Sequence, residues 1–248
     1  MRFGLRGIGQ VLITLGLVLL LLVFYEVYVT NIYAHRKQVT VHKVLESQWS
    51  AGQDPLALPT GSSATIPAGA GIANLYIPRL GKDYAWTVVE GTNDADLQRG
   101  PGHYSATALP GQIGNFSMAG HRVGKGEPFL NLDHVRPGDA VIIETLRFWY
   151  VYRVLGDVAS GDLSATGQDG VPGREIVDPS DAPVIAPYPD HPGQAASEKL
   201  MTMTTCHPKF SASQRLVVHA RLDPSLTIPR TSDTQPAAIA ALYEQVGN

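Results

Sequence analysis

Short β-type segments separated by breaks dominate the sequence after residue 71. Runs rich in β-branched and aromatic residues alternate with clusters of Gly, Pro, Asp and Asn, and the 248-residue chain contains 25 glycines and 18 prolines. This pattern predicts strands bounded by turns. We expect strands at residues 72–77, 85–89, 114–119, 140–145, 148–157, 200–206 and 215–222, and short helices at residues 93–99 and 129–135. Many short strands with few helices indicate a mostly-β fold, a closed or nearly closed antiparallel barrel.

The N-terminal segment is apolar. Residues 11–25 read VLITLGLVLLLLVFY, and residues 8–33 contain a single charge, that of Glu26. About 20 apolar residues suffice to cross a bilayer, so we expect a retained transmembrane signal anchor at residues 8–33 after a seven-residue N-terminal tail. A cleaved signal peptide is the alternative, but no A-x-A-like cleavage site follows. Basic residues flank both sides of the segment, so charge alone does not orient it.

The remaining chain divides by composition. Residues 34–70 are expected to form a linker, with a short helix at residues 39–49 and then a flexible stretch rich in Gly, Pro, Ser, Thr and Ala. Residues 71–223 form the predicted catalytic domain, and residues 224–248 a C-terminal extension that begins as a linker. We expect this extension to be a loosely ordered terminus, with a short helix at residues 237–246 as the alternative. Residues 160–197 have no sustained pattern and are long for a loop, which often marks a functional segment.

Charge and cysteine content exclude some classes of protein. The formal net charge of −3 argues against a nucleic-acid partner, which would require a basic surface. Cys206 is the only cysteine, so an internal disulfide is excluded and the fold depends on packing.

The sequence around Cys206 favours a reactive thiol. In a strand at residues 200–206, Cys206 shares a face with Thr202 and Thr204 at the strand's C-terminal end. His207 and Pro208 then break the strand, which places the thiol at a rim where substrates can reach it. Arg215 opens the next strand, and a hairpin of this shape brings it close to Cys206.

A second segment, GNFSMAGHR at residues 114–122, ends a strand-like run at His121. A cysteine nucleophile needs a basic or cationic partner, usually a histidine. Arg215 cannot serve as a base, but its guanidinium can stabilise an oxygen on which negative charge develops. Two alternatives remain open at this point. The cysteine could be a small buried apolar residue, and a metal site could use Cys206, His207, His219 and His121, although adjacent ligands are unlike zinc motifs.

Together these segments resemble the sortases, the membrane-anchored cysteine transpeptidases of Gram-positive surfaces. The family's TLxTC strand end, following arginine and upstream A-G-H are matched by Thr202–Cys206, Arg215 and Ala119–His121, with Met203 where leucine is usual. The similarity also covers LYIPRLGKDYAW, GPGHY, ALPGQIGN, LDHVRPGDAV and CHP, and in particular it resembles the class E sortases of actinobacteria.

The resemblance implies an eight-stranded sortase β-barrel in which residues 160–197 shape substrate choice. Cys206 would attack the Thr–Gly bond of a C-terminal sorting signal and form a thioester, His121 would act as acid and base, and Arg215 would stabilise the oxyanion. Thr204, Thr205 and Tyr104 are expected to contact the substrate.

The resemblance further implies an LAXTG-type rather than an LPXTG-type signal. Alanine keeps a backbone N–H that proline lacks, and a tyrosine near the groove, Tyr76, Tyr84 or Tyr104, is the candidate acceptor for it. The expected partners are sorting-signal-bearing surface proteins, a peptidoglycan precursor as amine acceptor and the membrane, with an extracytoplasmic catalytic domain and without a metal or cofactor. From the residues alone, a hydrolytic cysteine peptidase or a non-catalytic cell-wall-binding module remains possible.

Overall fold

The computed structural model of the protein describes residues 2–25, 30–57, 65–167 and 170–246. The strands are β1 (Gly71–Tyr76), β2 (Ala85–Glu90), β3 (Gly102–His103), β4 (Gly114–Ala119), β5 (Ala140–Glu144), β6 (Phe148–Val154), β7 (Arg174–Val177), β8 (Lys199–His207), β9 (Gln214–Leu222) and β10 (Ile228–Pro229). The α-helices are α1 (Arg2–Phe24), α2 (Thr30–Ser50), α3 (Asp94–Leu97) and α4 (Ala237–Val246), and short 3₁₀ helices lie at Pro78–Leu80, Leu132–His134, Ala182–Ile185 and Pro224–Leu226.

The strands close into a barrel. Their order is β10-β6-β5-β1-β2-β3-β4-β8-β9-β7, and an additional pairing of β6 with β9 joins eight of them into a ring. Among the strands of the described residues, β7 and β10 lie outside the ring, paired with β9 and β6 respectively. Closure leaves the ring without free edges, which protects it from edge-to-edge association. The predicted mostly-β eight-stranded barrel is confirmed.

Two neighbouring pairs in the ring are parallel, so the prediction of an antiparallel barrel was wrong at these positions. They are β2 with β3 and β4 with β8. Parallel neighbours need long connections, and here the connection between β4 and β8 contains β5, β6 and β7. No local sequence pattern reveals such a long-range pairing.

The barrel interior holds the main apolar core, and β8 shows how its two faces differ. Met201 and Met203 are fully buried in this core. Leu200, on the opposite face, packs instead against Val171 and Tyr188 of the long segment before β8. Cys206 belongs to this outer face, because side chains alternate along a strand.

Helix α2 packs along the outside of the barrel. One stripe of the helix is buried, namely Ala34, Gln38, Val41, Leu45 and Trp49. The Gln38 amide donates to the Thr87 carbonyl (2.9 Å) and accepts from the Thr87 backbone N–H (3.0 Å). The predicted helix at residues 39–49 is therefore part of a longer one, and residues 34–50, expected to belong to a linker, lie against the barrel. In the parts of the chain that the structure describes, no helix combines the length and apolar character that crossing a membrane requires.

The C-terminal extension also packs on the barrel. Ile239 and Leu242 of α4 are buried against residues of β5 and β6, and Arg230 forms an ion pair with the buried Glu144 (2.8 Å). The expectation of a loosely ordered terminus was wrong, because the alternative, a helix at residues 237–246, is present as α4. Elsewhere the predicted helix at residues 93–99 is the four-residue α3, and that at residues 129–135 is the 3₁₀ turn Leu132–His134. The short strands β3, β7 and β10 were not predicted, since two to four residues carry little periodicity.

Candidate active site

Strands β8 and β9 place Cys206 opposite Arg215. The two residues are direct partners in the antiparallel register, so their side chains share one face of the sheet. Cys206 is partly exposed and is a free thiol. The Arg215 guanidinium donates to the carbonyls of Ala212 (3.1 Å) and Gln214 (3.0 Å), which hold it at the turn end of the hairpin. The hairpin therefore provides a thiol beside a fixed cation.

Strand β4 brings His121 to the same end of the sheet. In the parallel β4–β8 register, Ala119 pairs with Thr204, so His121 and Cys206 lie two residues beyond the same pair. The strands stay joined past this pair, because the Gly120 N–H donates to the Thr204 carbonyl (3.1 Å) and the Thr205 hydroxyl donates to the Gly120 carbonyl (2.8 Å). Adjacent strands lie about 4.8 Å apart. The backbones of His121, which follows the end of β4, and of Cys206 and Arg215 thus lie at the same rim of three neighbouring strands.

Gly120, immediately before the histidine, allows a close contact. A Cβ atom at Gly120 would lie only 2.5 Å from the Phe129 ring, and Phe129 is fully buried. The Phe129 N–H in turn donates to the His121 carbonyl (3.0 Å). The glycine of the A-G-H segment is therefore required by packing, and that packing orients the backbone of His121.

The surroundings of His121 favour the neutral imidazole. Burial lowers its pKa below the ordinary histidine value, and the nearby Lys125 ammonium lowers it further, while Asp94 opposes the shift. The Nε2 atom is buried and has no hydrogen-bond partner within the described residues. A neutral imidazole with a free ring nitrogen can accept a proton, which is the property required of a general base.

The comparisons with known proteins agree with this geometry. The profile of the sortase domain family matches residues 75–223, which include all three rim residues. The chain belongs to the sortase family.

Named relatives support the resemblance to class E. Sortase SrtE1 from Streptomyces coelicolor is 31% identical over 224 residues, which cover 88% of this chain and 56% of the relative. The chain therefore spans little more than half the length of that relative. Among solved structures, the SrtF sortase from Corynebacterium diphtheriae is 40% identical with a TM-score of 0.63, covering 74% of this chain and 98% of that one. Sortase E from Streptomyces avermitilis is 35% identical with a TM-score of 0.56, covering 70% and 99%.

Arg122 of this sortase is buried and binds the end of β8, the strand that carries Cys206. It was not among the predicted site residues. The Arg122 side chain is 3% exposed and pairs with Asp133 (2.9 Å). It also donates to the Cys206 carbonyl (3.2 Å) and to Nδ1 of His207 (2.9 Å). Although burial alone would raise the Asp133 pKa, its own backbone N–H and the charges of Arg122 and Lys209 hold it below the ordinary value. The one sequence signal for Arg122 is its position next to His121.

The three residues predicted to contact substrate lie near the thiol. Thr204 and Thr205 are buried, and Thr205 donates to the Gly120 carbonyl immediately after β4. The hydroxyls of Thr204 and Tyr104 are hydrogen-bonded to each other (2.9 Å), two positions before Cys206 on the same face. Of the other two tyrosines, Tyr84 donates to the Pro128 carbonyl and Tyr76 to Glu144. Direct substrate contact by Thr204, Thr205 and Tyr104 stays a prediction.

The four residues of the alternative metal site are not gathered at one point. His219 pairs with Thr202, four residues before Cys206 and about 13 Å away along the strand. It is fully buried and bonded to the Thr202 hydroxyl and to Glu175, both at 2.9 Å. His207 contacts Arg122. A separate group, made of Glu175, Asp190 and His219, has potential ligand atoms within 4.8 Å of one another and does not include the thiol.

Proposed function

We propose that this sortase is a membrane-anchored cysteine transpeptidase that cleaves a C-terminal sorting signal between Thr and Gly and transfers the new acyl group to an amine. The meeting of His121, Cys206 and Arg215 at one rim of the barrel carries this proposal. A thiol, a nearby imidazole and a fixed guanidinium are the groups that acyl transfer through a thioester requires.

In the first half-reaction the Cys206 thiol passes its proton to His121, and the thiolate attacks the threonine carbonyl. Arg215 stabilises the oxyanion that develops on that carbonyl oxygen. When the intermediate collapses, the C–N bond to glycine breaks and His121 donates its proton to the leaving amine. The products are a thioester on Cys206 and a free peptide that begins with glycine.

In the second half-reaction an acceptor amine attacks the thioester. Neutral His121 takes a proton from the amine, and the thiolate leaves as the new amide bond forms. We infer that the acceptor is the amine of a peptidoglycan precursor and that the acyl donors are surface proteins that carry the signal. The proposal requires neither metal nor cofactor.

For the signal itself we propose LAXTG rather than LPXTG, from the class E resemblance. Alanine keeps a backbone N–H that proline lacks. The Tyr104–Thr204 hydroxyl pair beside Cys206 offers oxygens that could accept from it, and an acceptor left unpaired by proline would cost about 1–3 kcal/mol. We therefore propose Tyr104, rather than Tyr76 or Tyr84, as the acceptor of the alanine N–H.

The proposed anchor is the apolar part of the predicted segment 8–33, ahead of Thr30 and Asn31, which contact the loop after His121, and the catalytic domain lies outside the cytoplasm. Its support is the uncharged run at residues 11–25 and the length that a bilayer requires. If the anchor is retained, the mature protein stays in the membrane fraction and keeps its N-terminal sequence. A mature N-terminus near Ala34 or later would contradict it.

The reaction is tested by mass spectrometry of the protein with an LAXTG peptide, with and without an added amine. The expected result is an acyl adduct on Cys206 and, with the amine, a peptide–amine product. Cys206→Ala should abolish both without loss of the folded circular dichroism spectrum. A hydrolysed peptide alone would favour the peptidase alternative, and no adduct at all would favour a cell-wall-binding module. A matched LPXTG peptide, processed as fast as the LAXTG peptide, would contradict the proposed signal preference.

A further inference from the structure

The loop after His121 is closed by a backbone hydrogen bond at its base, and the residues at its tip have an unfavourable backbone conformation. At its base the Phe129 N–H donates to the His121 carbonyl (3.0 Å). At the tip, Gly124, Lys125, Gly126 and Glu127 have consecutive φ angles of 65°, 51°, 87° and 45°. Lysine and glutamate rarely adopt this left-handed conformation, so the turn needs support from outside.

The support comes from the first turn of α2. The Asn31 side-chain oxygen accepts from the Gly126 N–H (2.9 Å), and the Thr30 hydroxyl accepts from the Lys125 N–H (3.3 Å). One turn later, Ala34 packs so closely that a Cβ at Gly126 would lie 3.2 Å from its side chain. Two consecutive backbone donors of the tip are therefore satisfied by side chains 95 residues earlier in the chain.

We propose that Asn31 is a positioning residue of this enzyme: it holds the turn at residues 124–127 and thereby fixes His121 relative to Cys206. The inference rests on the proposed function, since it gives His121 a catalytic role. The link is short, because only Arg122 and Val123 separate His121 from the tip, and the base of the loop is bonded to His121 itself. The tip also carries Lys125, whose charge acts on the imidazole. Helix α2 then helps to position the active site and is not only a spacer between the N-terminal segment and the barrel.

The test compares three full-length variants for kcat and KM with the signal peptide. Asn31→Ala removes the acceptor, and we expect kcat to fall by about 10- to 100-fold with KM within about twofold, as for a small misplacement of a catalytic group. Asn31→Asp keeps an acceptor oxygen and should restore kcat to within about threefold of the wild type. Gln38→Ala is the matched control, because it removes other hydrogen bonds between α2 and the barrel. It should lower the melting temperature and leave kcat within about twofold.

Amide hydrogen exchange gives a readout that does not need activity. Exchange at Lys125 and Gly126 should be faster in Asn31→Ala than in the wild type and unchanged in Gln38→Ala. A kcat for Asn31→Ala within about twofold of the wild type, or an equal loss in Gln38→Ala, would overturn the positioning role. If the wild type forms no acyl-enzyme, the proposed function fails. In that case unaltered exchange at Gly126 would show separately that Asn31 does not hold the turn.

Discussion

Replacing Arg122 with methionine should weaken the barrel at the end of β8. The methionine keeps much of the aliphatic volume but removes the guanidinium, which contacts the Cys206 carbonyl, His207 and Asp133. Removing this donor from the partly buried Cys206 carbonyl costs at most about 1–3 kcal/mol. Breaking a fully buried ion pair costs about 3–5 kcal/mol, but Asp133 is 33% exposed and can recover water.

Two effects reduce the total. Lys209, 3.9 Å from Asp133, still neutralises part of its charge, and the variant no longer buries the unpartnered Nε of Arg122. We therefore expect the free energy of unfolding to fall by about 2–3 kcal/mol. For a domain of this size, that corresponds to a melting temperature lower by about 4–12 °C.

The pH dependence provides a sharper check of the same reasoning. Because the Asp133 pKa is lowered in the folded protein, Asp133 contributes stability above its unfolded pKa that is lost as the pH falls through its folded pKa. Without Arg122 the folded pKa rises toward the unfolded one, and this contribution shrinks. The difference in melting temperature between wild type and Arg122→Met should therefore be largest near neutral pH and become smaller below about pH 4.

Thermal denaturation by circular dichroism at several pH values measures both effects. Arg215→Met is the matched control, since the hydrogen bonds of its guanidinium within the described residues go to carbonyls of the exposed hairpin turn. This control should lose acyl transfer while its melting temperature changes by less than about 2 °C. The reasoning is refuted if Arg122→Met melts within about 1 °C of the wild type, or if its deficit does not depend on pH.

Two other substitutions test the surroundings of His121. Gly120→Ala should lower the free energy of unfolding by about 1–3 kcal/mol, measured by thermal denaturation, because its Cβ would lie 2.5 Å from the Phe129 ring. A double variant that also carries Phe129→Leu should recover part of this loss. If the effects of the two substitutions simply add, the predicted clash is contradicted. Lys125→Met should raise the His121 pKa, since it removes a positive charge that disfavours the imidazolium. The His121 Cε1–H signal, titrated by NMR, measures this shift, with Lys209→Met as a charge-matched control; equal midpoints in all three proteins would contradict it.

Much of the barrel could be predicted because its strands follow local patterns. The predicted strands at residues 72–77 and 215–222 differ by one residue from Gly71–Tyr76 and Gln214–Leu222. The pairing of Cys206 with Arg215 was also predictable, since a hairpin brings together the residues on either side of its turn. The structure differs where strands are very short or pair in parallel with distant partners. A two-residue strand such as Gly102–His103 has no periodicity to detect.

The sequence by itself determined which residues can react. It contains one thiol at a strand end, an arginine that opens the next strand and a histidine that ends an earlier one. Each of these features is local, because side-chain chemistry and strand periodicity are properties of a few consecutive residues. Their positions already predicted a cysteine site before any long-range contact was known.

The tertiary structure alone decided how those residues are held. It placed His121 beside Cys206 through the parallel β4–β8 pairing, buried Arg122 against the end of β8 and set Asn31 under the turn at Gly126. Each of these contacts joins residues more than 80 positions apart. The sequence does not indicate which distant backbone group a polar side chain will bind, since only the closed barrel brings the two together.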